Sequence, residues 1–284
     1  MELSRRAALA SHRLVGWIYW DPTGIANYAA LGPDGFSYYV ATRGASLGPA
    51  GNGAVTAAFG SIHHDFVALS LDACRTHTTM SDAAAARDAA VVAGLRSYVP
   101  EICDGLAELA PSLWAAADSL PRAGRVLYAA LQERPRPDDQ LLSAWLAVNC
   151  IREWRGDTHW AINAAEGLDG DMAGVLDGAW RHYRDHWLPR SRGTDDEALA
   201  AALARFAERG LASGADVNGA GLAYRQELED RLDRLSSAAW QHLGEPRTDA
   251  FLDLVEPVGA VLVERIDQTA GPRWMPAARD RVVA

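Results

Sequence analysis

The chain has 284 residues, of which 49% are hydrophobic and 23% charged, a composition typical of a globular protein with a substantial core. All 27 basic residues are arginines, which excludes a lysine Schiff base and a phosphate-loop lysine. The formal net charge of −10 argues against bulk attraction to nucleic acid or anionic membranes, and three widely spaced cysteines favour neither a disulfide framework nor a CxxC metal site.

The first sixty residues are predicted to form short helices joined by turns. Residues 3–20 are predicted to be helical, and the segment 36–42 fits either a strand or a tight helical turn. A glycine-rich loop follows at 43–53, where backbone N–H groups together with Arg43 and Ser46 could contact an anion. The simpler interpretation of this loop is a tight connection between helices.

Two adjacent histidines, His63 and His64, form an ionisable cluster with Asp65. Neighbouring side chains on a helix diverge by about 100°, so a metal would need further ligands such as His77 or His159. We therefore predict no metal and no cofactor. Instead, one of the two is expected to be a structural histidine and the other to face a pocket, so His63 and His64 are both candidates for an acid or base.

The longest predicted helix covers residues 138–167 and contains the densest ionisable cluster in the chain. Asp138 and Asp139 follow two prolines and supply N-cap chemistry, while Gly167 is a plausible end. The helical rotation sorts its side chains into three rows. The apolar row is Leu146, Cys150, Trp154, Ala161 and Ala165; the border row is Asn149, Glu153, Asp157 and Trp160; the polar row is Arg152, Arg155, Gly156, His159 and Asn163.

These rows suggest an active site on one helix. Glu153 and Asp157 could act as a general base pair, and His159 as an acid or base. With His63 and His64 they make up the catalytic candidates. The substrate-binding candidates are Arg43, Ser46, Asn149, Arg152, Arg155 and Trp160. The alternative is that the carboxylates form ion pairs with arginines of this or another helix.

The last hundred residues are predicted to contain a helix at 195–209, a hairpin within 211–220 and a helix at 222–235. Residues 189–193 are a candidate linker, and 248–268 form a final helix that Pro257 kinks or splits. We predict a mainly α protein with three parts: a helical domain over 1–189, a winged-helix-like module over 190–245, and a C-terminal helix and tail over 246–284.

The helix at 195–209 occupies the place of a recognition helix but is acidic and rich in alanine. It offers Arg205 and Arg209 against Asp195, Asp196 and Glu197. DNA-binding helices need cations for phosphates and polar groups for base edges. Nucleic acid is therefore predicted to be an unlikely partner.

Three segments carry a family resemblance: RGASLGPAGNGAVTAAF from Arg43, REWRGDTHWA from Arg152, and ARFAERGLASGADVNGAGLAYRQELEDRLDRL from Ala204. Over most of residues 5–245 the chain resembles an actinobacterial SalK-like family of helix-turn-helix proteins. The resemblance implies a shape and not a function. Ile62–Asp65 stands where an Asn-Phe-x-Pro-like segment is expected in that family, which implies a specialised member.

Three functions remain open at this point. The preferred hypothesis is a cofactor-independent enzyme of specialised metabolism that acts on a small charged metabolite, by proton abstraction and loss of an anionic group or by ring closure. The alternatives are a ligand-responsive winged-helix transcription regulator and a non-catalytic small-molecule-binding or partner subunit. The expected partners are a small molecule and further protein subunits. No apolar run approaches a membrane span of about 18 residues, so a cytoplasmic location without membrane contact is predicted.

Overall fold

The mainly helical fold predicted from the sequence is confirmed by the computed structural model, which describes residues 2–281. Within that range fifteen α-helices and a single two-stranded hairpin form the regular structure, with short 3-10 turns between them. The segment 36–42 adopts the helical alternative, as a 3-10 turn over Gly35–Ser37 followed by an α-helix. None of the helices in the described range is long and apolar enough to cross a membrane.

The helices and strands are numbered in chain order. The first eight helices are α1 (Glu2–Gly16), α2 (Pro22–Ala29), α3 (Tyr38–Arg43), α4 (Asn52–Phe59), α5 (His64–His77), α6 (Met80–Tyr98), α7 (Cys103–Asp118) and α8 (Val126–Gln132). The remaining elements are α9 (Gln140–Ala165), α10 (Gly170–Trp180), α11 (Trp187–Arg190), α12 (Asp196–Glu208), β1 (Ala212–Ser213), β2 (Asp216–Val217), α13 (Gly219–Ser236), α14 (Ala238–Leu243) and α15 (Glu245–Asp267).

Helix α9 is the long helix predicted at 138–167, and its ends follow from local chemistry. The Asp139 carboxylate accepts hydrogen bonds from the backbone N–H groups of Leu141 and Leu142, at 2.9 and 3.1 Å, which caps the first turn. Gly167, with φ +67°, lies just beyond the last turn. The apolar row does not run the full length of the helix, because Ala161 and Ala165 are exposed.

Two hydrophobic cores share this helix. Its first half, from Leu141 to Trp154, is buried in the larger core with α1, α6, α7 and α15. Its end contributes Ile162 to a second core, which α10, α12 and α13 complete with residues such as Met172, Phe206 and Leu232. Because α9 is continuous, it connects the two cores rigidly.

The α12–hairpin–α13 segment matches the helix, hairpin and helix predicted from the sequence. Strands β1 and β2 pair Ala212 with Val217 and Ser213 with Asp216. Asn218 then caps α13 by accepting from the Gly221 N–H at 3.0 Å. The hairpin is therefore held against the start of α13.

The candidate linker at 189–193 packs against the protein. Leu188 and Pro189 are buried against Gly174 and Gly178 of α10. Helix α15 is continuous through Pro257, and the tail after it is anchored by Trp274, whose ring contacts those of Trp20 and Trp187.

Candidate functional site

Ionisable side chains from several helices meet where α9 passes from the larger core to the second one. We call this group the junction cluster. Its members are Arg43 of α3, Arg152, Glu153 and Arg155 of α9, Asp177 of α10, Arg181 and Arg192 of the turns after α10 and α11, and Arg225 and Glu229 of α13.

Glu153 is the carboxylate on which the first half of the junction cluster is centred. Its side chain is 2% exposed and accepts two hydrogen bonds from Arg43, at 2.8 and 2.7 Å, and another from Arg152. Burial alone would raise the pKa of Glu153, but the two guanidinium groups outweigh it and lower the pKa to about 2. Glu153 therefore stays ionised at neutral pH and has little affinity for a proton.

The second half of the cluster ties α9, α10 and α13 together. Arg155 donates to Glu229 at 2.6 Å, and Arg225 donates to both Glu229 and Asp177, at 2.8 and 2.9 Å. Burial opposes the charge on Asp177 and on Glu229, yet the neighbouring arginines hold both carboxyl pKa values well below their usual range. Asp177 also pairs with Arg181 at 3.1 Å.

Asp157, one turn after Glu153, has a different environment. Its carboxylate accepts from the Tyr128 N–H at 2.9 Å and so holds the first turn of α8. No guanidinium lies within ion-pair distance of it among the described residues. Burial raises the pKa of Asp157 to about 7, against the opposing effect of the Tyr128 hydrogen bond.

His159 and Trp160 lie in the last two turns of α9 and make different contacts. The His159 ring is 2.9 Å from the amide of Asn163, and burial, followed by the charge of Arg225, lowers its pKa to about 4. His159 is therefore neutral at neutral pH. The Trp160 ring packs on Gly60, whose φ is +62° and where any side chain would collide with the indole.

Arg192 is a member of the cluster that the sequence did not single out. Its guanidinium donates to the Ser61 hydroxyl at 2.7 Å, and within residues 2–281 no carboxylate is at ion-pair distance from it. Burial lowers the pKa of Arg192, and the more distant charge of Asp177 only partly opposes this effect. Its backbone C=O accepts from the His63 N–H, which joins this turn to the start of α5.

The remaining predicted site residues lie outside the cluster. Ser46 is in the 3-10 turn Ala45–Ala50, and Asn149 is 1% exposed with a buried side-chain oxygen that has no hydrogen-bond partner. His63 and His64 stack at the surface, 4.4 Å between ring centroids. With Asp65 they form the one group of three possible metal ligands in the described range, and all three are exposed.

The sequence contains a signal for two of the ion pairs that were not predicted. Asp177 and Arg181, and likewise Arg225 and Glu229, stand four residues apart on one helix, where opposite charges face each other. The signal for Arg192 is weaker, because its neighbours Ser61 and Asp177 are distant in the chain.

Comparison with known proteins shows which family the chain belongs to. A helix-turn-helix family matches residues 4–269. The chain belongs to that helix-turn-helix family. No curated protein and no solved structure matches it.

Membership of the helix-turn-helix family overturns two predictions made from the sequence. The preferred hypothesis of a cofactor-independent enzyme was wrong, and so was the expectation that nucleic acid is an unlikely partner, since the family points to a DNA-binding regulator. One physical reason lies in the cluster: Glu153, predicted to be a base, is paired with Arg43 and Arg152, which were predicted to bind the substrate. The net charge of −10 was a poor guide as well, because it sums the whole chain and does not describe the charge of any one surface.

Proposed function

We propose that this helix-turn-helix protein is a DNA-binding transcription regulator that responds to a small molecule. The observation that carries the proposal is the family match, which covers both hydrophobic cores and not the α12–hairpin–α13 segment alone. In this proposal that segment, with the structure around it, works as a winged helix: α12 is the recognition helix and the β1–β2 hairpin is the wing.

The exposed side of α12 limits how such a contact can work. It exposes four alanines, Arg205 and three acidic residues (Asp196, Glu197 and Glu208), and Arg209 follows at the end of the helix. Arg205 pairs with Asp169, and Arg209 donates to the Tyr224 hydroxyl at 2.9 Å. Both arginines are exposed, so a DNA phosphate can compete for them. Alanine can contact thymine methyl groups in the major groove, which gives some selectivity without many charges.

The proposed route from ligand to DNA is helix α9. An ion pair joins Arg155 of α9 to α13, the helix that follows the hairpin. Helix α9 also carries the Arg152–Glu153 pair, and its Asp157 holds the start of α8. A ligand that changes these contacts would therefore reposition the DNA-binding segment. The residues first considered for chemistry, including His159 and Trp160, are proposed to maintain this connection.

Several finer predictions belong to the same proposal. We propose membership of the actinobacterial SalK-like group, a cytoplasmic location and assembly into an oligomer. The three parts predicted at 1–189, 190–245 and 246–284 are proposed to be the helical domain, the DNA-binding module and a C-terminal segment that packs on the helical domain.

The test is a gel-shift assay on genomic fragments enriched by the purified protein. We expect sequence-selective binding that weakens when both Arg205 and Arg209 are replaced by alanine. The control is Arg122→Ala, which removes an exposed, paired arginine of the helical domain and should leave DNA binding unchanged. Two phosphate contacts per protomer should raise log Kd with log salt at a slope of about +1.8 per protomer, and the double variant should lose this dependence. Failure to enrich any fragment, or equal binding by the double variant, would contradict the proposal.

A further inference from the structure

The surroundings of Arg192 contain more cations than carboxylates. Glu153 is shared by Arg43 and Arg152, and Asp177 is shared by Arg181 and Arg225. Arg192 is close enough to Arg43, Arg181 and Asp177 for their charges to interact with its own. Since the nearby carboxylates are already shared between two guanidiniums each, the positive charge of Arg192 has no direct partner in the described range.

A buried cation without a counter-ion is unfavourable for folding, so its presence needs a reason. Arg192 is half-buried, so its charge is partly desolvated while part of its side chain stays accessible to solvent. A ligand can therefore reach the guanidinium from solvent. Among residues 2–281, Ser61 is the one acceptor of a hydrogen bond from its side chain, which leaves further N–H donors for a ligand.

A series of aromatic side chains reaches the segments next to Arg192. A continuous series of ring contacts runs from Tyr39 to Trp20, Trp274, Trp187 and Tyr183, with centroid distances of 5.7, 4.9, 5.5 and 5.1 Å. All five rings are partly accessible to solvent. Tyr39, at one end of the series, also contacts the ring of Phe59 at 5.8 Å, two residues before the Ser61 hydroxyl that accepts from Arg192. Trp187, near the other end, begins the short helix α11, and Arg192 follows that helix by two residues.

We propose that Arg192 and the aromatic series from Tyr39 to Tyr183 form a binding site for a small planar organic anion. The guanidinium of Arg192 would take the carboxylate of the ligand in a paired hydrogen-bond contact, and the rings would pack against its flat apolar body. This inference rests on the proposed function, because it names the chemical class of the small molecule to which the regulator responds. Ligand binding is measured without DNA, so the ligand site and the proposed DNA-binding function can be refuted separately.

The position of the site supports a regulatory role. The turn that carries Arg192 hydrogen-bonds to the start of α5 through His63, and it follows α11, which packs on α10 of the second core. The aromatic series joins the region of α1 and α3 to the tail after α15. A ligand there would contact elements of both cores at once, and would therefore stabilise one arrangement of the DNA-binding module.

The experiment is calorimetry and thermal unfolding of the full chain with indole-3-acetate as probe, its uncharged analogue indole-3-acetamide, and inorganic phosphate. Phenylacetate serves as a second, smaller aromatic acid. We expect saturable binding of at least one of the two acids, at least tenfold tighter than that of the amide and of phosphate. Equal affinity for acid and amide, binding of phosphate alone, or no saturable binding of either acid would overturn the proposal.

Variants of Arg192 distinguish a ligand site from a structural contact. Arg192→Gln should weaken binding of the acid at least tenfold. Arg192→Lys should weaken it by a smaller factor, because lysine keeps the charge but lacks the planar pair of donors. Without ligand, Arg192→Gln should melt at the same temperature as the parent protein or higher, since an unpaired buried cation is removed. The matched control is Arg134→Gln, a partly buried arginine paired with Asp88, which should leave binding of the acid unchanged. Early melting of Arg192→Gln with unchanged affinity for the acid would show a structural residue and refute the site.

Discussion

Glu153→Gln is a substitution for which the structure predicts a large loss of stability. The amide keeps the size of the side chain but removes the charge that compensates Arg43 and Arg152. The carboxyl pKa falls from its ordinary 4.5 to about 2 on folding. At about 1.4 kcal/mol for each pKa unit, this corresponds to roughly 3 kcal/mol, within the range of about 3–5 kcal/mol for breaking a buried ion pair. The melting temperature should fall by about 10 °C.

The pH dependence of this effect has a definite sign. The pKa of Glu153 is lower in the folded than in the unfolded protein, so its contribution is complete above about pH 5 and is lost as the pH falls towards 2. The difference in stability between parent and Glu153→Gln should therefore shrink in acid.

Asp157→Asn should behave in the opposite way. The pKa of Asp157 is raised from 3.8 to about 7 on folding, so the folded state holds a proton that the unfolded state has lost. The raised pKa therefore makes the parent protein progressively less stable as the pH rises from about 4 to about 7. The asparagine oxygen can still accept from the Tyr128 N–H, so the variant should be more stable than the parent at pH 8, and by a smaller margin at pH 5.

Urea unfolding at pH 5 and pH 8 measures both effects. The control is Glu133→Gln, an exposed carboxylate paired with Arg122, which should change the free energy of unfolding by less than about 1 kcal/mol. The reasoning is refuted if Glu153→Gln is as stable as the parent at pH 8, or if Asp157→Asn is less stable than the parent there.

Three further predictions concern local structure. Asp139→Ala removes the N-cap of α9 and should cost about 1 kcal/mol in urea unfolding, whereas Asp138→Ala, whose side chain makes no cap, should cost little. Gly60→Ala forces a side chain into the Trp160 ring at a positive φ and should lower the melting temperature, while Gly53→Ala, where a side chain meets open space, should not. Cys150 is buried and burial raises its pKa to about 12, so mass spectrometry should find it unmodified by iodoacetamide at pH 8 until the protein is unfolded; rapid native labelling would contradict its burial.

The features that the sequence determined by itself depend on residues close together in the chain. The ends of α9 follow from Asp139 and Gly167, since a cap and a left-handed stop act within one turn. The hairpin within 211–220 follows from the turn around Gly214, and the overall helical class follows from periodicity. The sorting of α9 into rows placed Glu153 and Asp157 beside the apolar row, and both side chains are buried in the structure.

What those side chains do was decided only by tertiary structure. Glu153 and Asp157 have the same chemistry and stand one turn apart, yet one has a very low pKa and the other a raised one. The difference arises from partners on other helices. Glu153 is paired with Arg43, 110 positions away in the chain, whereas Asp157 accepts a hydrogen bond from the first turn of α8. Helical periodicity specifies which way a side chain points but not which element it meets there. The position of Arg192 among aromatic rings from distant segments depends on the same long-range packing, so no local pattern could predict it.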